Sequence, residues 1–244
     1  MPRREKTREK KRRRGETPEE EMLREAKAKE MRMESWVPKT ELGKKVKNGE
    51  IASLQEIFDR GHTVLEPEIV DFLVKELEEK TMDLKKTARV NSSGRQFSYR
   101  ATVLIGNRNG IVGVGIASDR ERMAAAQKAA TQARLNVVSV YRGCGSWECS
   151  CGTSHSIPFQ VQGRCGSVKM RLKPAPKGLG LVVGEHVKDV FRLAGVRDVW
   201  SQTKGHTSTT LNFVKATIDA LSKTNRMKVS ASIQRKLAGM SREG

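Results

Sequence analysis

The sequence predicts an α+β fold, with two small mixed domains between basic ends. Three observations predict it. A strand–strand–strand–helix pattern runs from about Met82 to Leu135, and a second mixture in a different order runs from Ser167 to Leu221. The third is composition. Of 244 residues, 47 are Lys or Arg and 28 are Asp or Glu, for a formal net charge of +19, while only 36% are hydrophobic. So low an apolar fraction leaves part of the chain outside any core, and the charge surplus points to a polyanion.

The elements follow in order. Residues 1–15 carry nine cations against Glu5 and Glu9, a block that cannot collapse on itself and is expected to be disordered alone. Pro18 and Glu19–Glu21 suit the start of an exposed helix over residues 16–34. Ile51, Leu54, Ile57 and Phe58 recur at helical spacing. Pro67 opens a second short helix with Ile69, Val70, Phe72, Leu73 and Leu77 apolar. These two helices are expected to pack on a neighbour.

A first strand is expected near Met82–Val90. Phe97, Tyr99, Ala101, Val103 and Ile105 then alternate with Ser98, Arg100, Thr102 and Leu104, the pattern of a strand with one buried face. Gly106–Gly110 is a turn, and Ile111–Ala117 closes a hairpin. Ser118 and Glu121 have capping-box spacing before a helix, Arg120–Leu135, whose alanines let it lie close to a sheet. In the second half, Val168, Met170 and Leu172 alternate with Lys169, Arg171 and Lys173. Pro174–Gly180 is a loop, and Val187, Val190, Phe191 and Ala194 mark a helix with Gly195 at its C-cap. Val196–Trp200 is a short strand and Leu211–Leu221 a last amphipathic helix. The expected divisions are 1–80 (basic extension), 81–143 (first domain), 144–156 (a cysteine loop), 157–222 (second domain) and 223–244 (basic tail).

Several classes are excluded or disfavoured. No apolar run approaches the ~20 residues of a membrane helix. Met1-Pro2-Arg3-Arg4 leads into no apolar stretch of a secretory signal. The four cysteines lie between Cys144 and Cys165 and do not make a disulfide scaffold, so a reducing, cytoplasmic setting is expected. His62, His186 and His206 have no nucleophile or carboxylate near them in sequence, and no enzyme is expected.

Candidate RNA contacts start with the arm residues Arg3, Arg4, Arg12, Arg13 and Arg14. The polar loop Arg89, Asn91, Ser92, Ser93, Gly94, Arg95, Gln96 and Phe97 offers main-chain N–H groups and arginines to phosphates, and a ring to bases. An ordinary hairpin loop would look the same. Lys128 and Arg134 lie on the alanine-rich helix. Lys169, Arg171 and Lys173 share one face of a strand because the side-chain period is two. Arg100, Asn107, Arg108, Asn109, Lys177 and Lys204 complete the set. About six to ten phosphate contacts imply a loss of about 10³–10⁵ in affinity between 50 and 200 mM salt.

Cys144-x₄-Cys149-x-Cys151-x₃-His155 places three thiols and an imidazole within twelve residues, a Cys₃His set of the kind that holds structural Zn²⁺. The Cys149-x-Cys151 spacing is shorter than the common knuckle, and unliganded thiols or a redox pair remain alternatives. Cys165 reads as a packing thiol. The glycine-rich turn Pro174–Gly180 before a helix could cradle phosphate. It faintly resembles the phosphate loop of small-molecule kinases of the galactokinase–mevalonate kinase type. The Leu181-Val182-Val183 that follows departs from theirs, so recognition rather than transfer is expected.

Two ordered blocks carry a closer resemblance. Gly94–Ala101 running through Gly106–Gly115, then Gly163–Val168, Pro174–Gly180 and Asn212–Leu221, resemble the small-subunit ribosomal protein S-five family. Gly163-Arg164-Cys165-Gly166-Ser167 and the long N-terminus resemble its archaeal–eukaryotic branch, with the archaeal type favoured. The resemblance implies a first domain like a double-stranded-RNA-binding domain and a second built on a left-handed βαβ unit, against the usual crossover hand. It implies a non-enzymatic, ribosome-bound constituent of the small subunit that binds rRNA near the decoding centre and the path by which mRNA enters. It also implies effects on accuracy and assembly, and ribosomal proteins of families four and eight as neighbours. By the same match, Arg89–Phe97 would approach rRNA at the neck of the head. The Cys144–His155 insert lies outside the bacterial pattern. A zinc-containing RNA-binding module outside the ribosome is the alternative.

Overall fold

The N-terminal helices are set by their caps. The computed structural model describes residues 36–226 except 75 and 150. Helix α1 (Glu41–Lys47) starts where Thr40 Oγ1 accepts from the Gly43 N–H at 3.0 Å. Helix α2 (Leu54–Asp59) starts where Ser53 Oγ accepts from the Glu56 N–H, with Glu56 reaching back to the same hydroxyl. Pro67 occupies the first turn of α3 (Pro67–Leu73), where its missing N–H costs nothing. Their apolar sides do pack on a neighbour: Trp36, Val46, Ile57, Ile69 and Val70 share one cluster with the first sheet and the alanine-rich helix.

The first sheet has the order β1–β2–β3–β4, all antiparallel, from β1 (Glu78–Asn91), β2 (Gly94–Gly106), β3 (Ile111–Asp119) and β4 (Val137–Ser139). β1 begins before the expected Met82 and crosses residue 81, where the first domain was expected to open. β1 and β2 pair along their whole length down to Asn91–Gly94, so the hairpin's far end projects beyond the sheet. Helix α4 (Arg122–Leu135) lies across β2 and β3. Its contact is backbone to backbone, since a Cβ on Gly115 would sit 1.9 Å from the Ala129 carbonyl oxygen. The capping box expected at Ser118 and Glu121 does not form. β3 runs on through Asp119, and Glu121 is the N-cap without a side-chain hydrogen bond.

The second sheet has the order β5–β6–β8–β7, from β5 (Val161–Cys165), β6 (Val168–Pro174), β7 (Leu181–Val182) and β8 (Val199–Lys204). β7 and β8 are parallel and joined through α5 (Glu185–Ala194), a βαβ unit on an otherwise antiparallel sheet. Gly195 ends α5 at φ 77°, the left-handed cap expected there. Helix α6 (Thr210–Ser222) covers the inner face, pressed so close that a Cβ on Gly163 would sit 2.0 Å from the Ala216 carbonyl oxygen.

The expectation of one buried face on β2 is corrected. Ala101, Val103 and Ile105 pack toward α4, while Leu104 packs into the second domain's core with Phe191, Leu193 and Leu221. The reason is α5, which docks on the other side of the sheet. A Cβ on Gly106 would lie 2.6 Å from the Leu193 carbonyl oxygen. The layers therefore run α4, first sheet, α5 with α6, second sheet, and among the described residues the outer face of the second sheet is left open.

Candidate metal centre and nucleic-acid interface

The cysteine loop is closed at its base by a two-way backbone bridge. Gly143 and Ser156 exchange N–H···O bonds of 2.8 and 2.9 Å. Between them, the sulfurs of Cys144, Cys149 and Cys151 and a ring nitrogen of His155 all lie within 4.8 Å of one another. Cys149 Sγ is 3.8 Å from His155 Nε2. A tetrahedral Zn²⁺ with bonds of about 2.3 Å to sulfur needs ligand separations of roughly 3.8 Å, so the four donors match it with little contraction. His155 is buried and the three cysteines are half-buried.

The thiols bear on one another. Burial pushes Cys144 up to about 11, with the Cys151 and Cys149 sulfurs adding to the rise. The Thr153 hydroxyl, 3.2 Å from Cys151 Sγ, and the Thr153 N–H bring Cys151 down to about 6. Thiolates this close repel, and a divalent cation is what lets all three ionise together. Cys165 is half-buried on β5, near Asn212, and outside the cluster.

Asp198 escaped the sequence reading. Its carboxylate is buried, and Oδ2 accepts from His155 Nδ1 at 2.7 Å. A carboxylate has only acceptors, so the proton sits on Nδ1 and the Nε2 lone pair faces the sulfurs. The other oxygen, Oδ1, accepts from the N–H groups of Gly178 at 3.2 Å and Gly180 at 2.7 Å. This corrects the phosphate-cradle expectation for Pro174–Gly180. The anion those amides hold is the chain's own carboxylate, and β7 intervenes before α5. Lys177 is exposed at the loop's tip.

The open face of the second sheet is basic across three strands. On β6, Lys169, Arg171 and Lys173 are exposed while Val168, Met170 and Leu172 are buried, as the alternation requires. The register sets Arg164 beside Lys169 and Lys204 on the other side of Lys169. Arg171 lies between Gln162 and Gln202, and Lys173 beside Trp200. None of these positions is Asp or Glu. Arg164, Gln162, Trp200 and Gln202 were missed because their own strands are too short for a clear period, though Val161-Gln162-Gly163-Arg164 does alternate.

The loop Arg89–Phe97 is the tip of the projecting β1–β2 hairpin. Asn91, Ser92, Ser93, Gly94 and Arg95 are exposed there. Cross-strand pairing puts Arg89, Gln96, Lys85 and Arg100 on one face, and Lys86, Phe97 and Arg95 on the other. The Lys86 ammonium lies 3.9 Å from the centre of the Phe97 ring. Lys85 and Lys86 lie on the strand expected near Met82–Val90 and were also missed, since only the pairing shows which loop-side residues they stand beside.

Other expected contacts are engaged within the chain. Arg134 is paired within the chain. Its side chain is 18% exposed and is gripped by Asp71 and Glu79. Asn107, Arg108 and Asn109 form a docking turn. Asn107 Oδ1 accepts from the N–H groups of Asn109 and Ile111, the Arg108 N–H donates to Leu193 O, and Arg142 reaches Asn109 Oδ1. Arg108 also pairs with Glu78 at 2.9 Å, and Lys128 with Asp119 at 2.5 Å, both cations remaining largely exposed. Arg3, Arg4, Arg12, Arg13 and Arg14, the helix expected over 16–34 and the tail beyond 226 lie outside the described residues.

Comparison with known proteins places this architecture. The family model described as ribosomal protein S5, N-terminal domain, matches residues 77–141, and that of the C-terminal domain matches residues 163–235. The chain is 50% identical over 204 residues to the small ribosomal subunit protein uS5 of Methanococcus maripaludis, covering 84% of this chain and 91% of that protein. It is 52% identical over 192 residues to the uS5 of Staphylothermus marinus, covering 79% and 90%. With the uS5 of Methanocaldococcus jannaschii it shares 49% over 205 residues, covering 84% and 94%. Both domain models met in order, and relatives about half identical over nearly their full length, make the chain a member of the ribosomal protein S5 family.

Proposed function

We propose that this protein is a structural, non-enzymatic constituent of the small ribosomal subunit, working in the cytoplasm bound to the ribosome. It holds folded rRNA by neutralising phosphates on two surfaces. One is the open face of the second sheet, with Arg164, Lys169, Arg171, Lys173 and Lys204. The other is the projecting hairpin, with Lys85, Lys86, Arg89, Arg95 and Arg100. The observation that carries the reading is the first of these. Arg164, Lys169 and Lys204 lie side by side across three strands with no acidic residue on that face. Like charges placed directly opposite destabilise a sheet, so the row is best accounted for by a bound polyanion. Phe97 and Trp200 add flat surfaces for unpaired bases.

The finer parts of the reading rest on the family resemblance: a place near the decoding centre and the incoming mRNA, and neighbours of families four and eight. The divisions expected at 81–143 and 157–222 correspond to two RNA-facing modules around a shared core, the first opening with β1 at Glu78. Cys144, Cys149, Cys151 and His155 hold one structural Zn²⁺, supported by the donor set and its spacing. The test is sedimentation of cell extract after a high-salt wash. The chain should travel with small subunits, and recovery only in free fractions would support the extra-ribosomal alternative. Metal analysis of the purified chain should give one zinc, lost in a Cys149→Ser, Cys151→Ser variant. Absence of zinc from the parent would return those cysteines to packing residues.

A further inference from the structure

We infer that Asp198 couples the metal centre to the Pro174–Gly180 loop, so that metal loading fixes where Lys177 is presented. This rests on the zinc reading above. The Asp198 carboxylate bonds to both sides. Oδ2 takes the Nδ1 proton of the ligand His155, and Oδ1 takes the amides of Gly178 and Gly180 on either side of Leu179. The residue is 4% exposed, so water does not replace these bonds. A second tether runs parallel. Ser156, fully buried and next to the ligand, accepts from the Ala175 N–H at 3.2 Å. Backbone bonds close the unit: the N–H groups of Arg197 and Asp198 both donate to His155 O, and that of Val199 donates to Gly180 O.

The coupling has a chemical direction. A metal on Nε2 makes Nδ1–H a stronger donor and fixes the ring, and a fixed ring fixes the carboxylate that holds the two glycine amides. Without the metal the ring keeps only its Nδ1–Asp198 bond, so it and the carboxylate it orients are held less firmly. Gly178 and Gly180 have φ of 91° and 77°, so the loop's shape depends on glycine torsions that carry no steric preference of their own. The two amide bonds supply what the torsions do not. Lys177 sits between Pro176 and the first of these amides, so its position follows theirs.

The test uses the full-length chain with and without stoichiometric Zn²⁺, reading amide hydrogen exchange by residue and the ¹⁵N shift of His155 Nε2. In the parent, metal removal should speed exchange at Gly178 and Gly180 at least tenfold, while β2 and α6 change far less. In Asp198→Asn the amide nitrogen faces His155 Nδ1 as a donor, favouring the tautomer with the proton on Nε2. Zinc affinity should then fall by about 10–100-fold, and the metal-free Nε2 shift should move to the protonated type. That shift would not respond to a merely structural role. Exchange at Gly178 and Gly180 that ignores the metal would overturn the coupling while leaving the zinc site standing. Exchange rising equally throughout the chain would overturn a loop-specific link. An Asp198→Asn chain binding zinc as tightly as the parent would overturn the role of the carboxylate. A parent that binds no zinc removes the metal reading itself, a separate and recognisable failure.

Discussion

Arg134 Nε lies 3.0 Å from both carboxylate oxygens of Asp71, a residue 63 positions earlier. The clamp pins α3 onto α4, and Glu79 at the start of β1 takes another nitrogen of the same guanidinium. Burial works against the charged form, but the fields of Asp71 and Glu79 more than offset it and raise the pKa. Arg134→Met should therefore lower stability by about 2 kcal/mol, somewhat less than for a fully buried pair. Its affinity for rRNA should stay as in the parent. Urea denaturation and rRNA binding on the same variant separate the two, and weakened binding at unchanged stability would return Arg134 to the interface.

The row Arg164–Lys169–Lys204 behaves in the opposite way. Replacing Lys169, Arg171 and Lys204 with Gln should cut the slope of log K against log salt by roughly 2–3, at 0.7–0.9 per lost phosphate contact. The melting temperature should hold or rise, since neighbouring like charges are removed. Fluorescence anisotropy with small-subunit rRNA across a salt series measures the first, calorimetry the second. An unchanged slope would take the open sheet face out of the RNA surface.

Gly106 sits where the two halves meet. Gly106→Val puts a side chain into the Leu193 carbonyl, which lies 2.6 Å from the Cβ position. The obstacle is backbone, so α5 must back away from β2. The cost should be about 3 kcal/mol or more, and where the parent is expected to melt in one calorimetric transition the variant should show two as the halves uncouple. A variant with the parent's single sharp transition would show that the docking of α5 tolerates displacement.

Glu66 supplies a pH dependence with a definite sign. Burial alone would raise its pKa. The N–H groups of Thr40 and Lys39 and the Trp36 indole reverse that and hold it below the ordinary 4.5. A carboxyl depressed in the folded state contributes stability that is full above the unfolded value and fades as pH falls through the folded one. The stability gap between the parent and Glu66→Gln should therefore be constant at neutral pH and shrink below about pH 4. Denaturant titrations from pH 7 to pH 3 check this, and a gap that widens toward acid would reverse the assignment.

Local periodicity made much of the molecule legible in the sequence. The alternation of Val168–Lys173 placed β6 and its cationic face, and the six alanines of α4 announced a helix lying close to a sheet. Gly195 marked the end of α5, and four residues within a dozen marked the Cys₃His cluster. In each case the signal and the structure it specifies lie within a few turns of backbone.

What the sequence determined by itself was therefore local: element types, the exposed face of β6, the hairpin tip and the Cys₃His set. Only the tertiary structure decided which faces are covered and which polar groups are already taken. It buried both sides of β2, turned Arg134 and Asn107 inward and gave the glycine amides of the Pro174–Gly180 loop to Asp198. The partners involved stand 43 and 63 positions apart at His155–Asp198 and Asp71–Arg134. Periodicity constrains a residue's neighbours along one strand or helix, whereas pairing between distant charges is set by how the layers stack.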